Sequence, residues 1–160
     1  MDMGVTLQHF MDKFNEFKTL PAGESFTIRL SQKEATAAAA EYLKESRAQV
    51  KQMLQKSTGI GLEVDDPMIG FKNDEVFLSA VGGKGFLKTR ASLTADVKWD
   101  GKPLVKVRSV DVPLISVTPE RLNFVVEKPL QQLTEKVREY ADIHSFKLSD
   151  GFAVLEAVKK

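Results

Sequence analysis

Two histidines, His9 and His144, are the only imidazoles this chain can offer to a metal or to proton transfer. They lie far apart, and neither stands in an H-x-x-x-H or H-E-x-x-H pattern that would set two ligands on one helix face, so no histidine-built metal centre is expected. Cysteine is absent, which removes thiolate ligands, disulfides and a cysteine nucleophile. Serines are available, but none lies in G-x-S-x-G, and a triad would have to take His9 or His144 as its base. The carboxylate pairs Asp65-Asp66 and Asp74-Glu75 fall at turn-like breaks, where short acidic side chains bond to nearby backbone; solvated turns are expected there rather than acid–base partners. Gly82-Gly83-Lys84-Gly85 offers backbone N–H groups to a phosphate, yet it lacks G-x-x-x-x-G-K-[ST] and runs into a strand-like segment, so it reads as a hairpin loop or a sheet bend. The expectation is therefore a protein that is not an enzyme, with no catalytic residue, no metal and no cofactor.

Charge gives no more direction than chemistry does. Lysine and arginine total 23 against 22 acidic residues, so no net field draws in nucleic acid, and no nucleic-acid partner is expected. Lys84, Lys88, Arg90 and Lys98 alternate along one segment, offset by Asp96, as on a wet sheet surface. With 42% hydrophobic and 28% charged residues the chain should fold, and 160 residues suit one domain, 1–160, with an N-terminal amphipathic helix in 1–18 and a core in 26–158. No apolar run reaches the roughly 18 residues of a membrane span, and the N-terminus lacks the layout of a signal peptide, so the chain as written is expected to be soluble. Its compartment stays open: the cell envelope if the natural protein has an anchor or signal, otherwise the cytoplasm.

The elements follow from periodicity. Met3, Leu7, Phe10, Phe14 and Phe17 are spaced 4, 3, 4 and 3, which predicts a helix over about 6–18 with one apolar stripe. Docking of this helix on the domain is one reading. Contact of Phe10, Phe14 and Phe17 with a partner or a membrane interface is the other. Phe26, Ile28 and Leu30 alternate as a strand that runs into S-x-x-E at Ser31–Glu34, a capping box opening a long helix that Thr58 and Gly59 stop. At about 1.5 Å per residue that helix approaches 40 Å. From 59 to 115 the pattern is all strand: a turn at Asn73-Asp74, a bulge, edge or break at Pro67, and a type I′ hairpin at Asp100-Gly101. Apolar parity changes between Val107 and Val110, which predicts a bulge near Arg108 or Ser109. Thr118-Pro119 starts a second helix with a kink or break expected at Pro129, and two strands around Ser149-Asp150-Gly151 close the chain.

Together these predict an α+β domain: one long curved antiparallel sheet, meander plus C-terminal hairpin, packed on two long amphipathic helices, with a short N-terminal helix. Function would then lie in the apolar space between sheet and helices. Met53, Leu54, Leu93, Val97, Leu122 and Val126 are the candidate lining of a hydrophobic ligand site, with ordinary core as the competing reading. Three stretches, "FTIRLSQKEATAAAAEYL", "WDGKPLVKVRSVDVPL" and "VTPERLNFVVEKPLQQLTEKVREYADIHSFKLSDGFAVLEAV", give the chain a layout that resembles the tubular lipid-binding superfamily, and within it the LmeA-like phospholipid-binding proteins. The resemblance implies a strongly bent sheet around a helix, enclosing a groove for acyl chains, in a protein of the cell envelope. Its expected partner is a lipid or other hydrophobic small molecule, with peripheral membrane contact. The alternative is a structural or protein-interaction module with a dry core, which self-pairs as a homodimer or holds a partner through its N-terminal helix.

Overall fold

Ser31 starts its helix as the capping box requires: its Oγ accepts from the Glu34 N–H at 3.1 Å, and Glu34 Oε1 accepts from the Ser31 N–H at 3.2 Å. In the computed structural model, which describes residues 15–84, 87–112 and 117–160, the elements run in the expected order. A helical turn over 15–18 precedes β1 (Ser25–Ser31), α1 (Gln32–Glu45) and α2 (Arg47–Thr58). A meander follows, β2 (Glu63–Lys72), β3 (Glu75–Lys84), β4 (Leu87–Trp99) and β5 (Pro103–Asp111). After a 3₁₀ turn at Pro119–Leu122 come α3 (Asn123–Arg138), β6 (Ala141–Ser149) and β7 (Phe152–Lys159).

The expected single curved sheet on two long helices is not what these elements build. Strands β1, β7 and β6 form one three-stranded sheet, and β2, β3, β4 and β5 form another of four. All pairing is antiparallel, but β1 joins the C-terminal hairpin, with Ser25 opposite Val158 and Ser31 opposite Phe152, so the meander closes without it. The long rod is absent as well. Ser46 leaves helical geometry at φ −114° and ψ 24°, which splits the segment into helices of 14 and 12 residues. Serine is a weaker helix former than the alanines before it, and the break lies beside the bulge of β2, where Arg47 pairs with Asp65. Gly59, at φ +81°, ends α2 as expected.

Local irregularities match the sequence in part. Thr94 faces Ser109 and Ala95 faces Val107, so Arg108 is the extra residue of the bulge read from the parity change. Pro67 sits in a bulge on the edge strand β2, between the Asp65–Val81 and Met68–Ser79 pairs. The Asp100-Gly101 signal gives a three-residue loop, because Trp99 pairs with Pro103. Only Gly101 takes positive φ there, at +70°, so the loop is not a type I′ turn. Pro129 lies on an exposed face inside α3, which continues unbroken through it.

One hydrophobic core joins both sheets to α3. The meander contributes Leu93, Ala95, Val97 and Val107, α3 contributes Val126 and Val137, and the smaller sheet contributes Ile28, Phe146, Leu148 and Leu155. Backbone bonds fasten the sheets directly: Asp74 N–H donates to Leu148 O at 3.0 Å, and Gly151 N–H donates to Phe71 O at 2.9 Å. The meander's edges are closed by helix side chains, since Asn123 Oδ1 accepts from Val107 N–H on β5 at 2.9 Å and α1 does the same for β2.

Candidate functional site

Five of the six residues proposed as a ligand lining meet in the interior, and none of the six lines either cavity described below. Leu54, Leu93, Val97, Leu122 and Val126 belong to the core, between 2% and 9% exposed, whereas Met53 is half-buried and is not one of them. A cavity of about 50 Å³ does occur among the described residues, but elsewhere: it lies between β1, the β6–β7 hairpin and α3, and Ile28, Leu30, Phe71, Leu130, Leu133 and Phe146 are among its lining residues. That volume holds a water or two at roughly 30 Å³ each, well short of the roughly 300 Å³ at which ligand pockets begin. Of the N-terminal stripe, Phe17 is half-buried and stacked on Phe26 with ring centroids 4.8 Å apart. Phe10 and Phe14 lie outside the described residues.

The larger concavity is one the sequence did not announce. It is a groove of about 580 Å³ along the seam between α1 and the edge strand β2. Four residues of helix advance about 6 Å and two residues of strand about 6.7 Å, so an antiparallel helix can serve alternate edge groups of a strand with side chains at i and i+4. Gln32 Oε1 accepts from Phe71 N–H at 2.7 Å. One turn on, Thr36 Oγ1 accepts from Ile69 N–H at 3.0 Å and donates to Ile69 O at 3.4 Å. The next pair in the series is Ala40 and Pro67, and both line the groove. Proline has no N–H to donate and alanine no side-chain acceptor, so the seam comes apart there.

The groove is apolar at its floor, on Ala37, Ala40, Leu43 and Pro67, and charged at its rim. Arg47 holds Asp65 at 2.8 Å, and Arg90 pairs with Asp66, which sits at φ +52° in the bulge. Asp65-Asp66 is thus an ion-paired bulge inside a strand rather than a solvated turn, and exposed pairs of this kind are worth about 0–1 kcal/mol each. Asp74-Glu75 does mark a turn, with Glu75 paired to Arg108. Lys44 has no ion pair among the described residues. Beyond the groove, Met68 and Phe77 are 56% and 46% exposed on one face of the meander, on diagonal positions of the β2–β3 pair.

Tyr140 is the most perturbed titratable group described. Its ring stacks on Phe26 at 6.1 Å and is 8% exposed, and its hydroxyl has no hydrogen-bond partner among the described residues. Burial disfavours the phenolate and pushes the pKa from 10.0 up to about 12. The unfolded chain releases this proton first, so stability is full below pH 10 and falls as pH rises towards 12. Between those limits the wild type should lose about 2–3 kcal/mol relative to Tyr140→Phe, read as the difference in urea midpoints. Near neutral pH the phenylalanine variant should match the wild type or exceed it by about 1 kcal/mol, because no unpaired hydroxyl remains.

No group of three or more potential metal-ligating side chains occurs among the described residues, and no described helix is long and apolar enough to cross a membrane. No protein-family model matches the chain, and no curated protein matches it either.

Proposed function

We propose that the domain is a non-enzymatic interaction module with a dry core, and that its partner is an extended peptide segment bearing an apolar side chain next to a carboxylate. The observation that carries this reading is the parted seam. A groove of about 580 Å³ lies within the range of ligand sites, while the apolar interior offers about 50 Å³. The apolar side chain would rest on Ala40 and Pro67, the carboxylate would meet Lys44, and Met68 and Phe77 would extend the contact along the sheet. Selection from a random-peptide library tests the reading. Enrichment of acidic, apolar sequences is the expected result, and an unenriched pool or one of basic peptides contradicts it.

A second reading rests on the lining of the small cavity, which is apolar throughout. Lipid uptake there, as the resemblance to tubular lipid-binding proteins implies, requires the cavity to expand several-fold. Saturable binding of a fluorescent fatty acid, with copurified lipid in native mass spectra, would favour that reading over the dry core.

A further inference from the structure

Three of the four sheet edges described are engaged by other elements. Helix side chains serve β2 and β5, and on β6 the Leu148 carbonyl accepts from the Asp74 N–H. The fourth edge is that of β1, which pairs with β7 on one side and with no strand on the other among the described residues. Bonds at its two ends show which groups are left over. Lys159 N–H donates to Glu24 O at 2.8 Å and Gln32 N–H donates to Gly151 O at 3.2 Å, so the even-numbered residues between them turn their backbone towards β7. Ser31, an odd-numbered one, gives its N–H to Glu34 Oε1 instead. The N–H and C=O groups of Ser25, Thr27 and Arg29 thus point out of the edge, without a hydrogen-bond partner among the described residues. The usual devices against pairing are missing: β1 has no proline, and its register is unbroken from Ser25 to Ser31. Its one charged side chain, Arg29, lies over the Phe152 ring at 4.2 Å, on the sheet's outer face.

We infer that two copies of the chain join β1 to β1, antiparallel about a twofold axis, so that two sheets of three strands become one of six. An added strand must alternate, apolar on the core side and polar on the other, and must exchange bonds at the three outward positions. β1 itself meets both demands, with Phe26 and Ile28 buried and Ser25, Thr27 and Arg29 exposed. With Thr27 opposite the partner's Thr27, Ser25 falls opposite the partner's Arg29, and about six backbone hydrogen bonds form. A shift of two residues either way leaves one of the three outside the pairing. In this register Phe26 lies opposite the partner's Ile28, which carries the apolar face across the axis, and no like charges are opposed. None of the residues lining the groove between α1 and β2 belongs to β1, so the two sites are independent.

The wild type should self-associate reversibly in sedimentation velocity, with a midpoint in the micromolar range. Thr27→Pro removes an outward N–H and no bond to β7, and Thr27→Lys sets two ammonium groups opposite each other at the axis. Each should weaken association about tenfold or more, with the unfolding midpoint little changed. The chain has no cysteine, so introduced thiols report the register. Thr27→Cys, with the two Cα atoms about 5.5 Å apart, should form a disulfide between chains about tenfold faster or more than Ser25→Cys, whose pair lies about 14 Å apart. A monomer at millimolar concentration, a dimer that both Thr27 variants leave intact, or equal cross-linking by the two cysteines overturns the inference. Slow hydrogen exchange at Ser25, Thr27 and Arg29 in the dilute monomer does so too, because it would show the edge occupied within the chain.

Discussion

Phe71→Ala is expected to destabilise the domain by about 3–5 kcal/mol, a large fraction of the roughly 5–15 kcal/mol that holds a domain of this kind together. The residue stands where α1, the meander and the smaller sheet converge. Its N–H bonds to Gln32 Oε1 at 2.7 Å, its carbonyl accepts from Gly151 at 2.9 Å, and its ring, 7% exposed, lines the existing cavity. Alanine keeps both backbone bonds, so the loss isolates packing. Removal of the ring enlarges an existing void on that side, which leaves the neighbours fewer atoms to collapse onto. Phe71→Leu should cost about 1–1.5 kcal/mol, since it retains most of the volume. Urea denaturation of both variants checks the pair. A loss below about 1 kcal/mol for the alanine variant would mean that the sheets are joined elsewhere.

Gln32→Ala with Thr36→Val is expected to cost about 2–4 kcal/mol, and its signature is local. These substitutions remove the acceptors for the N–H groups of Phe71 and Ile69 while leaving the helix propensity of α1 close to its original value. Gln32 is exposed and Thr36 half-buried, so water can serve position 71 more readily than 69, and Thr36→Val should account for the larger share. Hydrogen exchange should accelerate at Ile69 and Phe71 while the amides between β3 and β4 keep their protection. Uniform acceleration over the whole meander would instead show that the seam is not a separable unit.

Much of the framework was legible because its signals are local. The Ser31–Glu34 box, the stop at Gly59, the parity change that exposed the Arg108 bulge and the alternation that buries Leu93, Ala95 and Val97 depend on residues close in sequence or on one strand. What was missed depends on partners far apart. Nothing in Phe26–Leu30 specifies whether that strand adds to the meander or to the C-terminal hairpin, and the choice of β7 turns one expected sheet into two. Ser46 sits within a sustained helical period, so nothing in the spacing around it announces the break. Asp100-Gly101 announced a reversal, but the type I′ turn expected there is a three-residue loop instead.

The candidate site followed the same division. Apolar periodicity finds what is buried and cannot distinguish a packed wall from a cavity wall, so Leu54, Leu93, Val97, Leu122 and Val126 were found together as core. Pro67 announced an edge, a bulge or a break, and it stands in a bulge on an edge strand. Its counterpart, a Gln32-x-x-x-Thr36 spacing that ends at Ala40, gains meaning only once α1 is known to lie along β2.

The reading of a closed centre and a parted seam is tested most directly by calorimetric titration of one library-selected acidic, apolar peptide into the wild type, Ala40→Trp and Lys44→Glu. An indole at Ala40 fills the floor of the groove, and a glutamate at Lys44 reverses the charge that meets the carboxylate. The account predicts a single site in the wild type, weakened about tenfold or more in each variant, a loss of about 1.4 kcal/mol or more, with unfolding midpoints little changed. Equal affinity for all three proteins would place the peptide elsewhere and contradict it.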